Sequence, residues 1–399
     1  MKVFYCTVMN PRPVQLDIYR LSIPMRGFEH AAARRKTAES VVVAMRYSDG
    51  YIGWGETLPR AYVTGETMET VPADIETLFK RCCDDGILDV AAGKIPQKVP
   101  TAVNNRCVNA AACALDLAGL RRFFADFNTV DPKILMALTN RARVRNYIDS
   151  HVSGVLGSAN PQKTAWRLRI MKFADIKDFK LKLGLGEEVD RQNLDAVYSQ
   201  LRRGLQKGTH SLRVDINGGW KKEDVPQKVA QLRKYGVCAV EQPCYCSAAE
   251  LVEISRQCKV PLMADESLLT LDDARTLLAE PEKIWWNVRL SKNGGLLPVL
   301  ELLELAQKSN VVVSLGCMVG ETAILSAAQR RVLQLGPVPK FLEGNYGRYL
   351  LDDDIIPGRR SLMFGWAGSL RVLKGDGLGV TPCPEKLKKY AKKLKTLTA

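Results

Sequence analysis

The sequence lacks the features that would place the protein in a membrane or outside the cell. It has no apolar run long enough to span a bilayer, and its N-terminal residues do not form a signal peptide. We therefore expect a cytoplasmic protein without a membrane partner. Low-complexity linkers are also absent, and no internal repeat is visible beyond an alternation of strand-like and helix-like segments.

The 11 cysteines do not form a zinc motif. They are scattered, and an odd number leaves at least one unpaired. The two closest clusters are Cys82 next to Cys83, and Cys244-x-Cys246. Neither has a second pair at zinc-site spacing. Reduced structural thiols are the simpler interpretation for a cytoplasmic protein.

Positive charge exceeds negative charge, with a formal net charge of +15. The basic residues are spread along the chain, which does not favour a nucleic acid partner. One dense run, residues 385–395, is predicted to be the basic face of a C-terminal helix in contact with water. A general attraction for small anionic substrates is the second explanation of the charge.

The chain is organised around residues 212–220, a hydrophobic strand that ends at Asp215 and Asn217 and is followed by two glycines. Strand side chains alternate, so these two polar residues leave on the same face. Similar strands with polar ends recur at intervals of about 30 residues, the length of one β/α unit. They are residues 179–184, 238–243, 260–267, 284–292, 311–317 and 340–344. The amphipathic segments between them predict helices at residues 190–203, 222–235, 248–258 and 297–309.

Eight such units fit between residues 132 and 350 when a strand near residues 152–155 is included. The alternation predicts an α/β fold with parallel strands and crossover helices, closed as a (β/α)8 TIM-type barrel or a modified form of it. The carboxyl ends of barrel strands build the active site in this architecture. The polar strand ends are therefore expected to meet.

The N-terminal third has a different pattern and predicts an α+β capping domain. Strands are expected at residues 14–21, 40–47 and 52–56, and helices at residues 70–82 and 105–124. Residues 24–36 and 57–66 are predicted as loops that could cover an active site. The expected division is a capping domain at 1–130, a barrel domain at 131–350, and a C-terminal segment at 351–399 that packs on the capping domain and completes it.

Three acids, Asp215, Glu241 and Asp265, end three successive predicted strands. Pointing inward together, they would repel each other strongly unless a cation lay between them. Oxygen ligands without histidine or cysteine suit Mg²⁺ or Mn²⁺ rather than zinc. Lys182 precedes these acids and Lys292 follows them, so the two amines are expected on opposite sides of the metal, as base and acid.

A reaction suited to such a site is removal of the weakly acidic proton α to a carboxylate. A divalent cation would stabilise the enediolate that this step leaves. The metal, together with Lys180 two residues from Lys182, would lower the pKa of an ammonium group towards neutrality.

These motifs resemble the enolase superfamily, in particular its muconate-lactonizing (muconate cycloisomerase and mandelate racemase-like) subgroup. The resemblance covers nearly the whole chain. The matching segments are residues 53–56, 60–66, 180–182, 214–220, 241–243, 265–267 and 290–295. The resemblance implies that Asp215, Glu241 and Asp265 bind Mg²⁺, that Lys182 and Lys292 act on opposite faces of the substrate, and that Lys180 tunes Lys182 and steadies the substrate carboxylate. It also implies that Asn217 and Glu266 support these groups without binding the metal.

Several positions depart from the family pattern and bear on specificity. Arg289 stands where many relatives have lysine. Dipeptide epimerases of the subgroup have Asp-x-Asp at the eighth strand to hold a substrate ammonium, whereas residues 342–346 leave only Glu343 for that role. Arg26, Arg60 and Tyr62, in the two predicted loops, are further candidates for contact with the substrate, and Arg26, Arg34 and Arg60 hint at an additional anionic group.

The leading hypothesis is an Mg²⁺-dependent isomerase that abstracts an α-proton from a small carboxylate substrate. Racemisation or epimerisation of N-acyl amino acids or dipeptides, and muconate-type cycloisomerisation, are its main forms. A dehydratase similar to o-succinylbenzoate synthase, and so a lyase, is an alternative that also keeps both lysines. An inactive basic protein that binds anions or nucleic acid is the alternative of another class. Association into a homo-oligomer is left open.

Overall fold

The computed structural model describes residues 10–30, 33–90, 95–122, 132–141, 143–358 and 362–399. Within this part, the side chains of residues 27–30 and 33–35 are not described, so the predicted role of Arg34 lies outside it. No described helix is both long and apolar enough to cross a membrane.

The first unit of the chain is an antiparallel sheet covered by helices. Its strands are β1 (Pro13–His30), β2 (Ala33–Tyr47) and β3 (Ile52–Thr57), its helices are α1 (Ala61–Thr64), α2 (Val71–Asp84) and α3 (Asn109–Ala118), and a short ribbon joins β4 (Ala102–Val103) to β5 (Arg106–Cys107). The Gly-Trp-Gly motif explains how α3 packs on β3. A Cβ atom at Gly53 would lie 1.8 Å from Ala118 O, and one at Gly55 would lie 1.9 Å from Ala114 O. Only glycine therefore permits this close approach.

The second unit is an eight-stranded parallel sheet with crossover helices. Its strands are β6 (Gly154–Leu156), β7 (Asp178–Lys182), β8 (Ser211–Asp215), β9 (Ala239–Glu241), β10 (Leu262–Ala264), β11 (Ile284–Val288), β12 (Val313–Leu315) and β13 (Phe341–Leu342). Its helices are α4 (Pro132–Thr139), α5 (Pro161–Phe173), α6 (Glu187–Gln206), α7 (Val225–Leu232), α8 (Ala248–Arg256), α9 (Leu271–Leu277), α10 (Leu296–Lys308) and α11 (Ala323–Leu335).

A parallel bridge between Val152 and Leu342 joins the two edges of this sheet, and Ser153 N donates to Leu342 O at 2.7 Å. The predicted barrel is therefore confirmed, in a modified form. Seven helices, α5 to α11, connect its eight strands. Where an eighth barrel helix would follow β13, the described chain forms short 3₁₀ turns at Gly347–Tyr349 and Trp366–Gly368.

Local sequence signals explain where the barrel helices begin. Helix α8 starts with a capping box, in which Ser247 Oγ accepts from Glu250 N and Glu250 Oε2 accepts from Ser247 N at 2.8 Å. Thr270 and Asp273 form the same arrangement at the start of α9. Each box satisfies backbone N–H groups that have no partner within the helix.

Two predictions for the first unit and the C-terminus were wrong. Residues 24–30 and 33–36, predicted as a loop, continue β1 and β2. Buried Ile23 and Met25 carry the apolar alternation up to a register shift between Pro24 and Phe28. The basic C-terminal run is only partly helical. Helix α12 (Pro384–Tyr390) gives way to strand β14 (Ala391–Thr398), which pairs with the free edge of β1.

Carboxylates of the first unit satisfy the N-termini of two barrel helices. Glu56 accepts hydrogen bonds from Thr322 Oγ1 at 2.7 Å and from Leu325 N at 3.3 Å, at the start of α11. Asp116 accepts from Leu296 N at 2.6 Å, at the start of α10. Acidic groups are favourable at these positions because helix N-termini carry partial positive charge. The contacts hold the antiparallel sheet against the barrel.

Candidate active site

Charged side chains gather at the carboxyl ends of the barrel strands. The parallel register pairs Lys182 with Asp215, and Asp215 with Glu241. Asp265 follows β10 directly. The charged groups at this end of the barrel are Lys180, Lys182, Asp215, Glu241, Asp265, Arg289, Lys292 and Glu343. All but Lys182 are buried, so their charges must be balanced by one another.

Lys180 connects three carboxylates. Its Nζ lies 3.2 Å from both oxygens of Glu241, 2.5 Å from Glu343 Oε2 and 3.6 Å from Asp215 Oδ2. Burial alone would lower the pKa of Lys180, but the charges of Glu241, Glu343 and Asp215 together raise it. Lys180 is thus a fixed cation in this arrangement and not a proton acceptor, which fits a structural role beside the reacting groups.

Lys182 is the most accessible of the site lysines, with 13% of its side chain exposed. Its Nζ donates to Asn217 Oδ1 at 3.0 Å and lies 3.2 Å from Asp215 Oδ2. Asn217 has a left-handed backbone, with φ 48°, and its N–H donates to Asp215 Oδ1 at 3.1 Å. Asn217 therefore positions both the lysine and the acid, and Lys182 faces the open end of the site.

Lys292 lies at the other end of the row of acids and is fully buried. Its Nζ is 3.0 Å from Asp265 Oδ1 and donates to the backbone oxygens of Asp265 and Asn287 at 2.6 and 2.7 Å. Burial, and then the charge of Arg289, hold the pKa of Lys292 well below its usual range. A neutral amine at this position is able to accept a proton.

The antiparallel unit holds the segment that carries Lys292. Asn109 Nδ2 donates to Lys292 O at 2.7 Å, and Ser291 Oγ lies 2.8 Å from Thr57 Oγ1 and accepts from Leu58 N at 2.9 Å. These contacts cross from the first unit to the loop after β11. The position of Lys292 thus depends on both units.

Arg289 lies between two of the acids. Its Nη2 contacts Asp265 Oδ2 and is 3.6 Å from Glu241 Oε1. Asn287 Nδ2 donates to the same oxygen of Glu241 at 2.7 Å. Basic side chains therefore occupy the spaces on both sides of Glu241. Arg289 lies between Glu241 and Asp265, and Lys180 lies between Glu241 and Asp215.

The three acids Asp215, Glu241 and Asp265 form a candidate site for a divalent cation. Asp215, Glu241 and Asp265 are fully buried at the ends of adjacent strands. Asp215 Oδ2 and Asp265 Oδ1 have no hydrogen bond from a described residue beyond their ion pairs with Lys182 Nζ at 3.2 Å and Lys292 Nζ at 3.0 Å. Such oxygen donors suit Mg²⁺ or Mn²⁺. As the side chains stand, however, no three acidic, histidine or cysteine groups in the described ranges lie close enough together to hold a metal ion. The donor set fits the cation, provided that Arg289 withdraws.

Glu343, predicted as the residue that could hold a substrate ammonium, pairs with two basic side chains of the protein. One of its oxygens lies against Lys180, and the other is 2.9 Å from Arg213 Nη1. Burial would raise the pKa of Glu343, but Lys180 and Arg213 lower it to about 2. Both oxygens are committed to cations of the protein.

Of the remaining candidates, Glu266 lies nearest to the acids. Its Oε2 is buried without a hydrogen bond from a described residue. Burial, and then the charge of Asp215, raise the pKa of Glu266 to about 7. Tyr62 lies on α1, and 36% of it is exposed.

Arg60 and Arg26, predicted as candidates for contact with the substrate, make contacts within the protein. Arg60 is buried and donates to the backbone oxygens of Pro59, Glu39 and Val319. Arg26 is exposed and lies 3.8 Å from Asp352 Oδ1. Arg60 holds protein backbone, and Arg26 lies at the surface.

Arg213 and Asn287 were missed in the sequence. Arg213 is fully buried beneath Asp215, lies 4.2 Å above the Phe341 ring and pairs with Glu343. The pattern Arg213-x-Asp215 repeats the same-face spacing of Lys180-x-Lys182, and this spacing could have identified it.

Comparison with known proteins places the chain in a family. Residues 166–386 match the family described as enolase C-terminal domain-like, which is more than half of the chain. The chain belongs to this family. It is an enzyme of the enolase superfamily, and the relatives it matches are racemases, epimerases and cycloisomerases, which are isomerases.

Two curated relatives match this chain over regions of similar length. An L-Ala-D/L-Glu epimerase of Francisella tularensis subsp. novicida is 27% identical over 314 residues, which cover 77% of this chain and 83% of the relative. An N-succinyl-L-Arg/Lys racemase of Bacillus cereus is 24% identical over 321 residues, covering 78% and 81%.

Solved structures agree in fold. The crystal structure of the N-succinyl Arg/Lys racemase from Bacillus cereus has a TM-score of 0.78 at 20% identity and covers 97% of this chain and 100% of its own. Muconate lactonizing enzyme from Pseudomonas putida has a TM-score of 0.73 at 22% identity, covering 95% and 99%. At these identities the likeness shows the fold alone.

Proposed function

We propose that this protein is an Mg²⁺-dependent racemase that removes and returns the α-proton of an N-acyl amino acid. The observation that carries the proposal is the placement of two amines along one row of acids. Lys182 lies against Asp215 at one end and Lys292 against Asp265 at the other, with Glu241 between them in the strand order. A substrate bound over the acids would have one amine on each side.

The metal would be held by Asp215, Glu241 and Asp265. Bound there, Mg²⁺ would stabilise the negative charge that develops on the substrate carboxylate when the α-proton leaves. Arg289 would leave the space between Asp265 and Glu241 while Lys180 keeps its contact with Glu343, so that the site retains a fixed cation near the substrate carboxylate.

The lysines would move the proton. Lys292, whose amine has a lowered pKa, accepts a proton from one face of carbon α. Lys182, at the accessible end of the row, delivers a proton to the opposite face, and the roles reverse for the other enantiomer. Asn217 accepts a hydrogen bond from Lys182, and Asn109 donates to the backbone oxygen of Lys292. These contacts would fix the positions of both amines relative to the acids.

The pairing of Glu343 favours an acylated amine in the substrate. A free ammonium needs an uncommitted carboxylate nearby, and Glu343 is already neutralised by Lys180 and Arg213. An N-acyl group carries no positive charge and does not need that partner. The proposal therefore favours N-acyl amino acids over dipeptides. The name of the Bacillus cereus relative, an N-succinyl-L-Arg/Lys racemase, agrees with this class.

A substrate panel tests the proposal. N-succinyl and N-acetyl amino acids would be compared with dipeptides that carry the same C-terminal residue, and loss of optical purity would be followed by chiral chromatography with Mg²⁺ present. We expect racemisation of the N-acyl compounds at a kcat/KM at least about tenfold above that of the dipeptides. Faster turnover of the dipeptides would contradict the assignment, and turnover of cis,cis-muconate alone would favour cycloisomerisation.

A further inference from the structure

The Cys244-x-Cys246 pair lies in the loop that leaves β9, three residues after Glu241. The two thiols differ in access: Cys244 is only 1% exposed, whereas Cys246 is half-buried. Neither contributes to the proposed proton transfer. Cys244 belongs to the hydrophobic core, and Cys246 packs against the edge of that core.

Hydrogen bonds fix the loop around both cysteines. Gln242 Nε2 donates to Cys244 O at 2.9 Å and to Ser267 Oγ at 2.7 Å. Ser267 Oγ in turn donates to Cys246 O at 2.6 Å and lies 3.6 Å from Cys246 Sγ. The loop is therefore rigid on the side of the acids, and the hydroxyl of Ser267 can turn to a negative charge on Cys246.

The backbone of Cys244 is also connected to the loop after β8. It forms an antiparallel bridge with Gly219, and Trp220 N donates to Pro243 O at 2.9 Å. A change at Cys244 would reach the segment that follows Asp215.

The thiols act on each other's ionisation. The neighbouring Cys244 thiol lowers the pKa of Cys246 to about 7, and Ser267 acts in the same direction against burial. The same contact raises the pKa of the Cys244 thiol. Cys246 is thus half-buried and readily ionised, and Cys244 remains protonated. This is the division between an attacking thiol and a resolving thiol.

We propose that Cys246 and Cys244 form a peroxide-reactive pair that closes a disulfide beside the row of acids. The Cys246 thiolate attacks one oxygen of hydrogen peroxide, the O–O bond breaks, and the leaving hydroxide takes up a proton to become water. Cys246 is then a sulfenic acid. The sulfur of Cys244 loses its proton and displaces the sulfenic hydroxyl as a second water. Two thiols are oxidised to one disulfide, and one peroxide is reduced to two waters.

The disulfide would disturb the link between the loop and Asp265. Gln242 Oε1 accepts from Asp265 N at 2.9 Å and from Ser267 N at 3.1 Å, and the same side chain holds Cys244. A bond between the two sulfurs would shift the backbone oxygens of Cys244 and Cys246, which accept hydrogen bonds from Gln242 and Ser267. Oxidation is therefore expected to weaken binding of Mn²⁺ reversibly, with recovery after a dithiol reductant.

The chain supplies a matched control in Cys82 and Cys83, the other close cysteine pair. Burial raises the pKa of Cys82 to about 11 and that of Cys83 to about 12, and Cys83 is half-buried like Cys246. With unmodified full-length protein at pH 7, we expect iodoacetamide to alkylate Cys246 at least about tenfold faster than Cys83. A larger fraction of Cys246 is present as thiolate at this pH, and this outweighs the lower intrinsic nucleophilicity of its thiolate. Peptide mass mapping measures both rates in one sample and needs no variant.

Peroxide treatment then tests the disulfide. In the wild type, the peptide that contains both residues should lose two hydrogens. Cys244→Ser should stop at a sulfenic acid on Cys246, trapped by a 1,3-diketone probe, and Cys246→Ser should give neither product. The proposal would be overturned by equal alkylation of Cys246 and Cys83, by a disulfide to another cysteine, or by unchanged oxidation in Cys246→Ser. Each of these outcomes is read from the masses of peptides and not from enzyme activity. The test therefore stands even if the proposed racemase activity is not found.

Discussion

Arg289 contacts Asp265 through Nη2, and the same nitrogen lies 3.6 Å from Glu241 Oε1. One guanidinium thus neutralises two acids that the metal proposal requires as ligands. Its Nε donates no hydrogen bond to a described residue, so the side chain is held mainly by this contact and by Met318. Arg289 is in this sense an internal competitor of a divalent cation.

Removal of this competitor is expected to strengthen metal binding. Arg289→Met keeps the length of the stem and removes the charge, so Mn²⁺ should bind about 5- to 30-fold more tightly, corresponding to about 1–2 kcal/mol. Titration calorimetry or Mn²⁺ electron paramagnetic resonance measures the Kd directly. Arg275→Met, which removes an exposed arginine paired with Asp272, controls for net charge. Unchanged or weaker binding in Arg289→Met would contradict the competition.

The two amines are expected to act on opposite faces of the substrate. Lys182→Ala and Lys292→Ala should each lower racemisation by about 10²- to 10⁴-fold, the usual contribution of a positioned acid or base. Each variant should still exchange the α-hydrogen of one enantiomer with deuterium, and the two variants should prefer opposite enantiomers. Proton NMR in D₂O follows this exchange. Lys177→Ala, at an exposed lysine paired with Asp175, serves as the control. Two variants with the same preference would disprove the arrangement.

Glu343 is expected to be important for stability. Glu343→Gln leaves Lys180 and Arg213 buried without their shared counter-charge, so the free energy of unfolding should fall by about 3–5 kcal/mol. Urea denaturation measures this value. Glu253→Gln, which removes an exposed partner of Arg256, should cost less than about 1 kcal/mol. A loss at position 343 as small as that at position 253 would mean that the buried network contributes little.

Glu56 should make stability depend on pH. Burial raises the pKa of Glu56 to about 7 in the folded protein, from an ordinary value of 4.5. The stabilisation is therefore complete below about pH 4.5 and is lost as the pH rises to about 7, on the order of 1–3 kcal/mol. Glu56→Gln stays neutral, so the stability of the wild type relative to this variant should fall between pH 5 and pH 8.

Urea denaturation at both pH values measures the difference. Glu69→Gln, on an exposed side chain, controls for the loss of one charge. A relative stability that stays constant or rises between pH 5 and pH 8 would show that Glu56 is ionised throughout, held by the donors of Thr322 and Leu325.

The barrel could be predicted because its information is local. Strands β7, β8 and β9 end in Lys182, Asp215 and Glu241. The period of two puts Lys180 with Lys182, and Asp215 with Asn217, on one face. Parallel strands then bring these ends to the same side, as the register between Asp215 and Glu241 shows. The functional roles of these residues are predictions, which the variants of Lys182 and Lys292 test.

The remaining features depend on contacts between distant parts of the chain. Arg213 and Glu343 are 130 residues apart, and no local pattern pairs them. The same holds for Asn109 and Lys292, which are 183 residues apart. The C-terminal strand was predicted as helix because its lysines suit both structures, and only the open edge of β1 decides between them. Tertiary pairing overrides local propensity in such segments.

The central claim is abstraction of an α-proton in the presence of a divalent cation, and exchange with solvent measures it most directly. The wild-type protein would be incubated in D₂O with Mg²⁺ and an N-succinyl amino acid, and the α-hydrogen signal followed by proton NMR, with an excess of chelator as the control. The account predicts that the signal disappears with Mg²⁺ and persists with chelator. Persistence of the signal with Mg²⁺ across N-acyl amino acids and dipeptides alike would contradict it.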